Sequence, residues 1–167
     1  MPLAFRNVTA DPSGPVAAWP TEAVQAALER GDLEHWQRLA AEIAHRPWGR
    51  TARQIEEVLS HSRPYGVAEL MESVIARARQ RAAERERQAV AAEVRHAIAQ
   101  SGLSRAEFAS RVGTSASRLS TYATGRVAPS ATLLLRMRTV VETLDEHSGG
   151  PVLRRPPGHS RAGRAGG

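Results

Sequence analysis

The chain of 167 residues contains no cysteine and no lysine, and aromatic side chains make up only 4% of it. Without cysteine there can be no disulfide, thiolate metal site or cysteine nucleophile, a composition typical of the reducing cytosol. With so few aromatics, the core must consist mainly of small aliphatic side chains. The longest aliphatic run, residues 133–135, is far shorter than the ~20 residues of a membrane-spanning helix, and the first residues lack a secretory-signal pattern. We therefore expect a cytoplasmic protein.

Carboxylates are almost absent from one stretch of the chain, residues 104–141. This stretch holds six arginines and one carboxylate, Glu107, whereas residues 1–103 carry equal numbers of basic and acidic side chains. Residues 149–167 add four arginines and no carboxylate. Such a local positive excess is expected of a surface that binds a polyanion. A compositional bias could explain arginine in place of lysine, but it does not explain the missing carboxylates.

Three short helices are predicted between residues 21 and 64. Each begins at a residue suited to N-capping and ends at a glycine or a proline: Thr21 to Gly31, Asp32 to Pro47, and Thr51 to Pro64. Two of the three tryptophans, at 36 and 48, occur in this region, and the third, at 19, comes directly before it. We interpret them as core and interface residues, with stacking against a ligand as the alternative.

A longer helical pattern follows, because no glycine or proline interrupts residues 68–100. Both ends of this pattern are amphipathic, while residues 79–88 are polar nearly all round. One continuous helix is therefore possible, with a middle that forms a solvent-exposed bridge between two small domains. The alternative is a weak coiled-coil seam through Ile75, Ala82 and Ala89.

Two short helices joined by a tight turn are predicted within residues 103–130. Ser104 caps the first helix, and Glu107, three residues later, completes a capping box. Gly113 supplies a turn that requires a positive φ angle. Ser115 caps the second helix. The pattern is a helix-turn-helix in the supersecondary sense.

The outward face of the second helix carries short side chains, most of them hydroxyls, and a single arginine. A helix that enters the major groove needs this profile, since carboxylates would repel phosphates and small donors can reach base edges. An ordinary surface helix would mix acidic and basic residues, and this region has no carboxylate from residue 112 to residue 141. The residues of this face are Ala116, Ser117, Arg118, Ser120, Thr121 and Thr124.

The segment LSRAEFASRVGTSASRLSTYATGRVAPS resembles the DNA-binding domain of the lambda-repressor/Cro (Xre-type) regulators, and the likeness covers about residues 87–145. The positions that match the family in register are Leu103, Ser104, Phe108, Ala109, Gly113, Ser115, Leu119, Ser120, Gly125 and Pro129. The resemblance implies a compact bundle of four or five helices. It also assigns two groups of DNA contacts: base-reading by Ala116, Ser117 and Thr121, with Arg118 beside them, and phosphate binding by Ser104, Arg105, Ser115, Thr124 and Arg126.

Two positions depart from the family pattern. Ala116 stands where the family usually has glutamine or another strong donor after the turn, so it offers a methyl group that suits a thymine methyl or a closer approach. Ala123 replaces a glutamate that in some relatives pairs with a basic residue of the first helix, and Ile98 occupies that basic position. We infer that an apolar contact between Ile98 and Ala123 replaces the ion pair.

Nothing in the sequence predicts catalysis. The six histidines show no pair spaced for metal binding, and the chain lacks a P-loop and a glycine-rich dinucleotide motif. The serines of the helix-turn-helix have no histidine or carboxylate at an arranged spacing. We therefore expect no enzyme, no metal and no cofactor.

We predict an all-α protein made of an N-terminal helical domain, a long connecting helix, a lambda-repressor-like helix-turn-helix bundle and a disordered tail. The predicted parts are an irregular arm (1–20), a helical domain for partner binding or dimerisation (21–80), the DNA-binding domain (81–148) and the disordered basic tail (149–167). The expected function is a bacterial, sequence-specific regulator that binds double-stranded DNA on the nucleoid as a homodimer. The alternative is an antitoxin-like protein whose residues 21–80 bind a partner protein and whose helix-turn-helix regulates its own operon.

Overall fold

The computed structural model describes residues 10–148, and this part of the chain contains helices and turns but no strand. The predicted all-α class is confirmed. The expected disorder of residues 149–167 and the first nine residues of the predicted arm lie outside the described residues. A short 3-10 helix, Val16–Ala18, precedes seven α-helices: α1 (Thr21–Arg30), α2 (Leu33–His45), α3 (Arg50–His61), α4 (Val67–Ser101), α5 (Arg105–Val112), α6 (Ala116–Ala123) and α7 (Ala131–Ser148). None of these helices is long and apolar enough to cross a membrane.

The chain divides into two compact units, Met1–Ala89 and Val90–Gly167, and each has its own apolar core. The division falls within α4, which continues through it as a single helix, as the uninterrupted pattern of residues 68–100 permits. All side chains of residues 84–89 are exposed. This stretch of α4 therefore contributes to neither core.

The first unit is built around α1 and α3, which pack against each other, with α2 packed on both. Aliphatic side chains fill most of its core, as the low aromatic content requires. Trp19 is buried at 1% exposure, and Trp36 packs at the margin of the core, which confirms the core interpretation for these two tryptophans. Trp48, in contrast, is 49% exposed.

A single arginine holds the described part of the N-terminal arm. The Arg38 guanidinium donates hydrogen bonds of 2.5 Å to the carbonyl oxygens of Pro12 and Gly14. It also lies 5.1 Å from the ring centroid of Trp19, within the range of a cation–π contact. The end of the arm is therefore fixed to α2, although the sequence shows no regular pattern there.

Two of the three predicted N-caps in the first unit are wrong. Asp32 does cap α2, since its carboxylate accepts hydrogen bonds from the backbone amides that follow it. Thr21, however, is the first residue of α1, and its hydroxyl accepts a hydrogen bond of 3.4 Å from Gln54. Thr51 is buried inside α3, whose N-cap is Gly49. The Thr21 hydroxyl is used in a contact with α3 and the Thr51 side chain is buried, so neither caps a helix.

Candidate nucleic-acid interface

The start of α5 is fixed by the predicted capping box. The backbone amide of Glu107 donates to Ser104 Oγ at 3.3 Å, and the Glu107 carboxylate accepts from the backbone amide of Ser104 at 2.9 Å. Hydrogen bonds from Ser104 lower the pKa of Glu107, and the charge of Arg111 acts in the same direction. The ionised box therefore stabilises α5 fully above the ordinary pKa of glutamate and is lost as the pH falls through the lowered pKa.

The turn between α5 and α6 has the predicted geometry. Gly113 ends α5 with a φ angle of +78°, in the left-handed region. The Ser115 hydroxyl then accepts a hydrogen bond of 3.2 Å from the backbone amide of Arg118, so Ser115 is the N-cap of α6. These short-range interactions set the angle at which α6 leaves α5.

Buried apolar side chains hold α6 in place. Phe108 of α5 and Leu119 of α6 are fully buried in the core of the second unit, and Tyr122 is 6% exposed. Ala109 is also buried, where a small side chain allows α5 and α6 to pack closely. The opposite face of α6 is left open to solvent.

The exposed face of α6 has the residues that the family resemblance assigns to base reading. Ala116, Ser117 and Arg118 are exposed, and Thr121 is partly exposed. The Thr121 hydroxyl donates to the carbonyl oxygen of Arg118 at 2.8 Å, and the Thr124 hydroxyl makes the corresponding bond to Thr121 at 3.1 Å. Their hydroxyl protons are used within the helix, while the oxygen lone pairs and methyl groups remain available to a ligand.

The positive charge around α6 is only partly neutralised. Arg138 of α7 forms hydrogen bonds of 2.6 and 2.9 Å to Glu93 of α4, so its charge is paired. The other arginines of residues 104–141 have no carboxylate within 4 Å among residues 10–148. They are Arg105, Arg111, Arg118, Arg126 and Arg136, and all five are exposed.

One contact at the end of α6 was missed by sequence reasoning. The Arg95 guanidinium of α4 donates a hydrogen bond of 2.5 Å to the carbonyl oxygen of Ala123, the last residue of α6. Ile98 and Ala123 both pack in the core of the second unit, as the inferred apolar contact requires, but the polar link comes from Arg95. The only sequence signal for this contact was that Arg95 lies one helical turn before Ile98.

No group of three or more histidine and carboxylate side chains in residues 10–148 is arranged to hold a metal ion. The residues brought together around α6 can instead form hydrogen bonds, ion pairs and methyl contacts. This chemistry suits recognition of a polyanion with specific base edges.

Residues 94–140 match a family model described as helix-turn-helix. This part of the chain is a helix-turn-helix domain of the Xre/lambda-repressor type, which confirms the resemblance found in the sequence. The match indicates DNA binding and a role in transcriptional regulation. Comparisons of the chain with curated proteins and with solved structures gave no match.

Proposed function

We propose that the protein is a sequence-specific transcriptional regulator that reads the major groove of double-stranded DNA with α6. The supporting observation is the exposed face of α6, which presents short uncharged side chains and Arg118 from a helix fixed at both ends. Ser115 fixes its beginning, and the hydrogen bond from Arg95 fixes its end. A rigid helix of this kind can hold donors and methyl groups in register with base edges.

The proposed contacts fall into two groups that differ in their effect on specificity. Base edges are read by Ala116, Ser117, Arg118 and Thr121. Phosphates are bound by two arginines, which supply charge, and by three hydroxyl residues at helix ends. Two of these hydroxyl residues, Ser104 and Ser115, cap the beginnings of α5 and α6, where free backbone amides also face an anion. The phosphate-binding residues are Ser104, Arg105, Ser115, Thr124 and Arg126.

We further propose that the regulator binds as a homodimer in the bacterial cytoplasm. Two copies of α6 should then contact half-sites about 34 Å apart, one turn of the double helix. The expected operator is a near-palindrome, because a two-fold symmetric protein reads the same half-site twice.

Selection of bound duplexes from a random pool, at two salt concentrations, tests this function. Enrichment of one near-palindromic sequence is the expected result, and enrichment should persist at the higher salt because base contacts add affinity beyond charge. A pool that stays random at both salt concentrations contradicts the proposal.

Variants then separate the two groups of contacts. Arg118→Ala and Thr121→Ala should each weaken operator binding about tenfold or more while leaving non-specific binding nearly unchanged. Arg105→Ala and Arg126→Ala should weaken both. Arg138→Ala is the control, because Glu93 already pairs with that arginine. If the first two variants bind the operator as tightly as the wild type, α6 does not read the bases.

A further inference from the structure

Three arginines of α4 form an unpaired stripe within the first unit. Arg77, Arg81 and Arg85 are spaced four residues apart, so they share one face of the helix, and all three are exposed. Within residues 10–148, no carboxylate lies within 4 Å of them. Arg79 of the same helix differs, since it forms hydrogen bonds of 2.6 and 3.0 Å to Glu56. The stripe therefore has three positive charges without an ion-pair partner in the described part of the chain.

A glutamate on the same surface, Glu84, does not form an ion pair with any of the three arginines. Glu84 lines the surface beside the stripe, but its carboxylate accepts hydrogen bonds from Arg87 and Gln88. Those two contacts lower the pKa of Glu84, with the Gln88 hydrogen bond as the largest cause. The carboxylate is therefore already committed to other partners.

The stripe borders an open groove of about 290 Å³ between α2 and α4. Its apolar lining consists of small side chains: Ala40 and Ala44 from α2, and Val74 and Ala78 from α4. Val74 and Ala78 also pack in the core of the first unit. The groove thus has an apolar floor continuous with the core and a basic edge along one side.

We propose that this groove binds an amphipathic α-helix of another protein, one with an apolar face and flanking carboxylates. The stripe from Arg77 to Arg85 extends over about 12 Å at 1.5 Å per residue, which matches two turns of a partner helix with acidic residues at successive turns. The apolar residues of that helix bury against the alanine-rich floor, as in other helix-in-groove complexes.

Two other occupants fit the groove less well. A nucleic-acid backbone supplies phosphates for the arginines but no apolar ridge for the floor. The chain's own segments outside the described residues, 1–9 and 149–167, hold five arginines and no carboxylate, so they carry the same sign of charge as the stripe. Charge and apolar character together favour an acidic helix from a different protein.

A synthetic helical peptide tests this proposal, with leucine on one face, glutamate on both flanks and a fluorescent label. Its fluorescence anisotropy is titrated with the full chain, and a scrambled peptide of the same composition serves as the control. The designed peptide should bind more tightly than the scrambled one, and added salt should weaken it. Equal binding of both peptides would overturn the proposal, since charge alone would then account for the affinity.

Chain variants locate the site. Replacing Arg77, Arg81 and Arg85 together by alanine should weaken peptide binding about tenfold, as expected for three exposed ion pairs. A matched control replaces Arg30, Arg50 and Arg53, three exposed arginines of α1 and α3 that do not line the groove, and it should leave the affinity unchanged. Ala44→Glu keeps a good helix former on an exposed position but adds a negative charge to the floor, so it should also weaken binding.

The same variants distinguish the other occupants. If the groove variant loses affinity for duplex DNA and retains the peptide, the stripe is a nucleic-acid surface and the proposal is wrong. If it changes only the sedimentation of the chain from dimer to monomer, the groove is a self-association surface and the proposal is also wrong. If the groove variant loses peptide binding while its affinity for DNA is unchanged, the result supports the proposal. This outcome does not depend on whether α6 reads an operator.

Discussion

Gly113 is required by the backbone geometry of the turn and not by a lack of space. Its φ angle is +78°, and an added Cβ would meet only the Arg136 guanidinium, at an ordinary contact distance of 3.6 Å. We expect Gly113→Ala to lower the free energy of unfolding by about 1 kcal/mol through backbone strain, and Gly113→Asn to lower it less, because asparagine tolerates this region. Urea denaturation followed by circular dichroism measures both. An alanine variant as stable as the wild type would show that the turn has another conformation.

A second helix-ending glycine shows what sequence reasoning can miss at this scale. Gly31 also follows a helix, but its φ angle is −74°, which any residue adopts. Its restriction comes from space, since an added Cβ would lie 2.2 Å from the Ala27 carbonyl oxygen. The sequence predicts that both helices end at these glycines. It does not show that Gly113 is required by its backbone conformation, whereas Gly31 is required by the closeness of the Ala27 carbonyl oxygen.

At the scale of helices, local interactions were predictable and long-range ones were not. The capping box of Ser104 and Glu107 joins residues three apart, so the sequence alone contains its signature. The link from Arg95 to Ala123 joins residues 28 positions apart, which no local pattern reveals. Most of the site could therefore be assigned to helices and turns in advance, but the contact that fixes the end of α6 required the packed structure.

The Arg95 contact gives a prediction about α6. Arg95→Ala leaves the carbonyl oxygen of Ala123 without its charged donor, and we expect the unfolding free energy to fall by about 1 kcal/mol. Operator binding should weaken at the same time, because the end of α6 is less firmly placed. Denaturation and DNA titration of the same protein sample test both effects. Arg138→Ala is the comparison, since loss of an exposed ion pair should cost about 0.5 kcal/mol. A binding defect without any loss of stability would mean that Arg95 contacts DNA directly.

Over the whole molecule, charge counts along the sequence located the basic region, but they did not identify which arginines lack an ion-pair partner. The formal net charge of +6 conceals a neutral stretch, residues 1–103, followed by the arginine-rich residues 104–141. The structure pairs one arginine of that region, Arg138, with Glu93, 45 residues earlier. It also leaves a stripe of α4 unpaired inside the neutral stretch. Tertiary contacts therefore decide which arginines are available to a partner. A sum of charges along the sequence cannot identify them.

The salt dependence of DNA binding measures how many arginines neutralise phosphates in the complex. Each arginine that neutralises a phosphate releases condensed counterions, so the logarithm of the binding constant falls linearly with the logarithm of the salt concentration. A dimer that places Arg105 and Arg126 of both chains on phosphates should have a slope of about −4, and Arg105→Ala should reduce its magnitude by about 2. Arg138→Ala should leave the slope unchanged because Glu93 already neutralises that side chain. Fluorescence anisotropy of a labelled operator at several salt concentrations gives all three slopes. If the Arg138 and Arg105 variants change the slope equally, the affinity reflects net charge and not the placement of the arginines around α6.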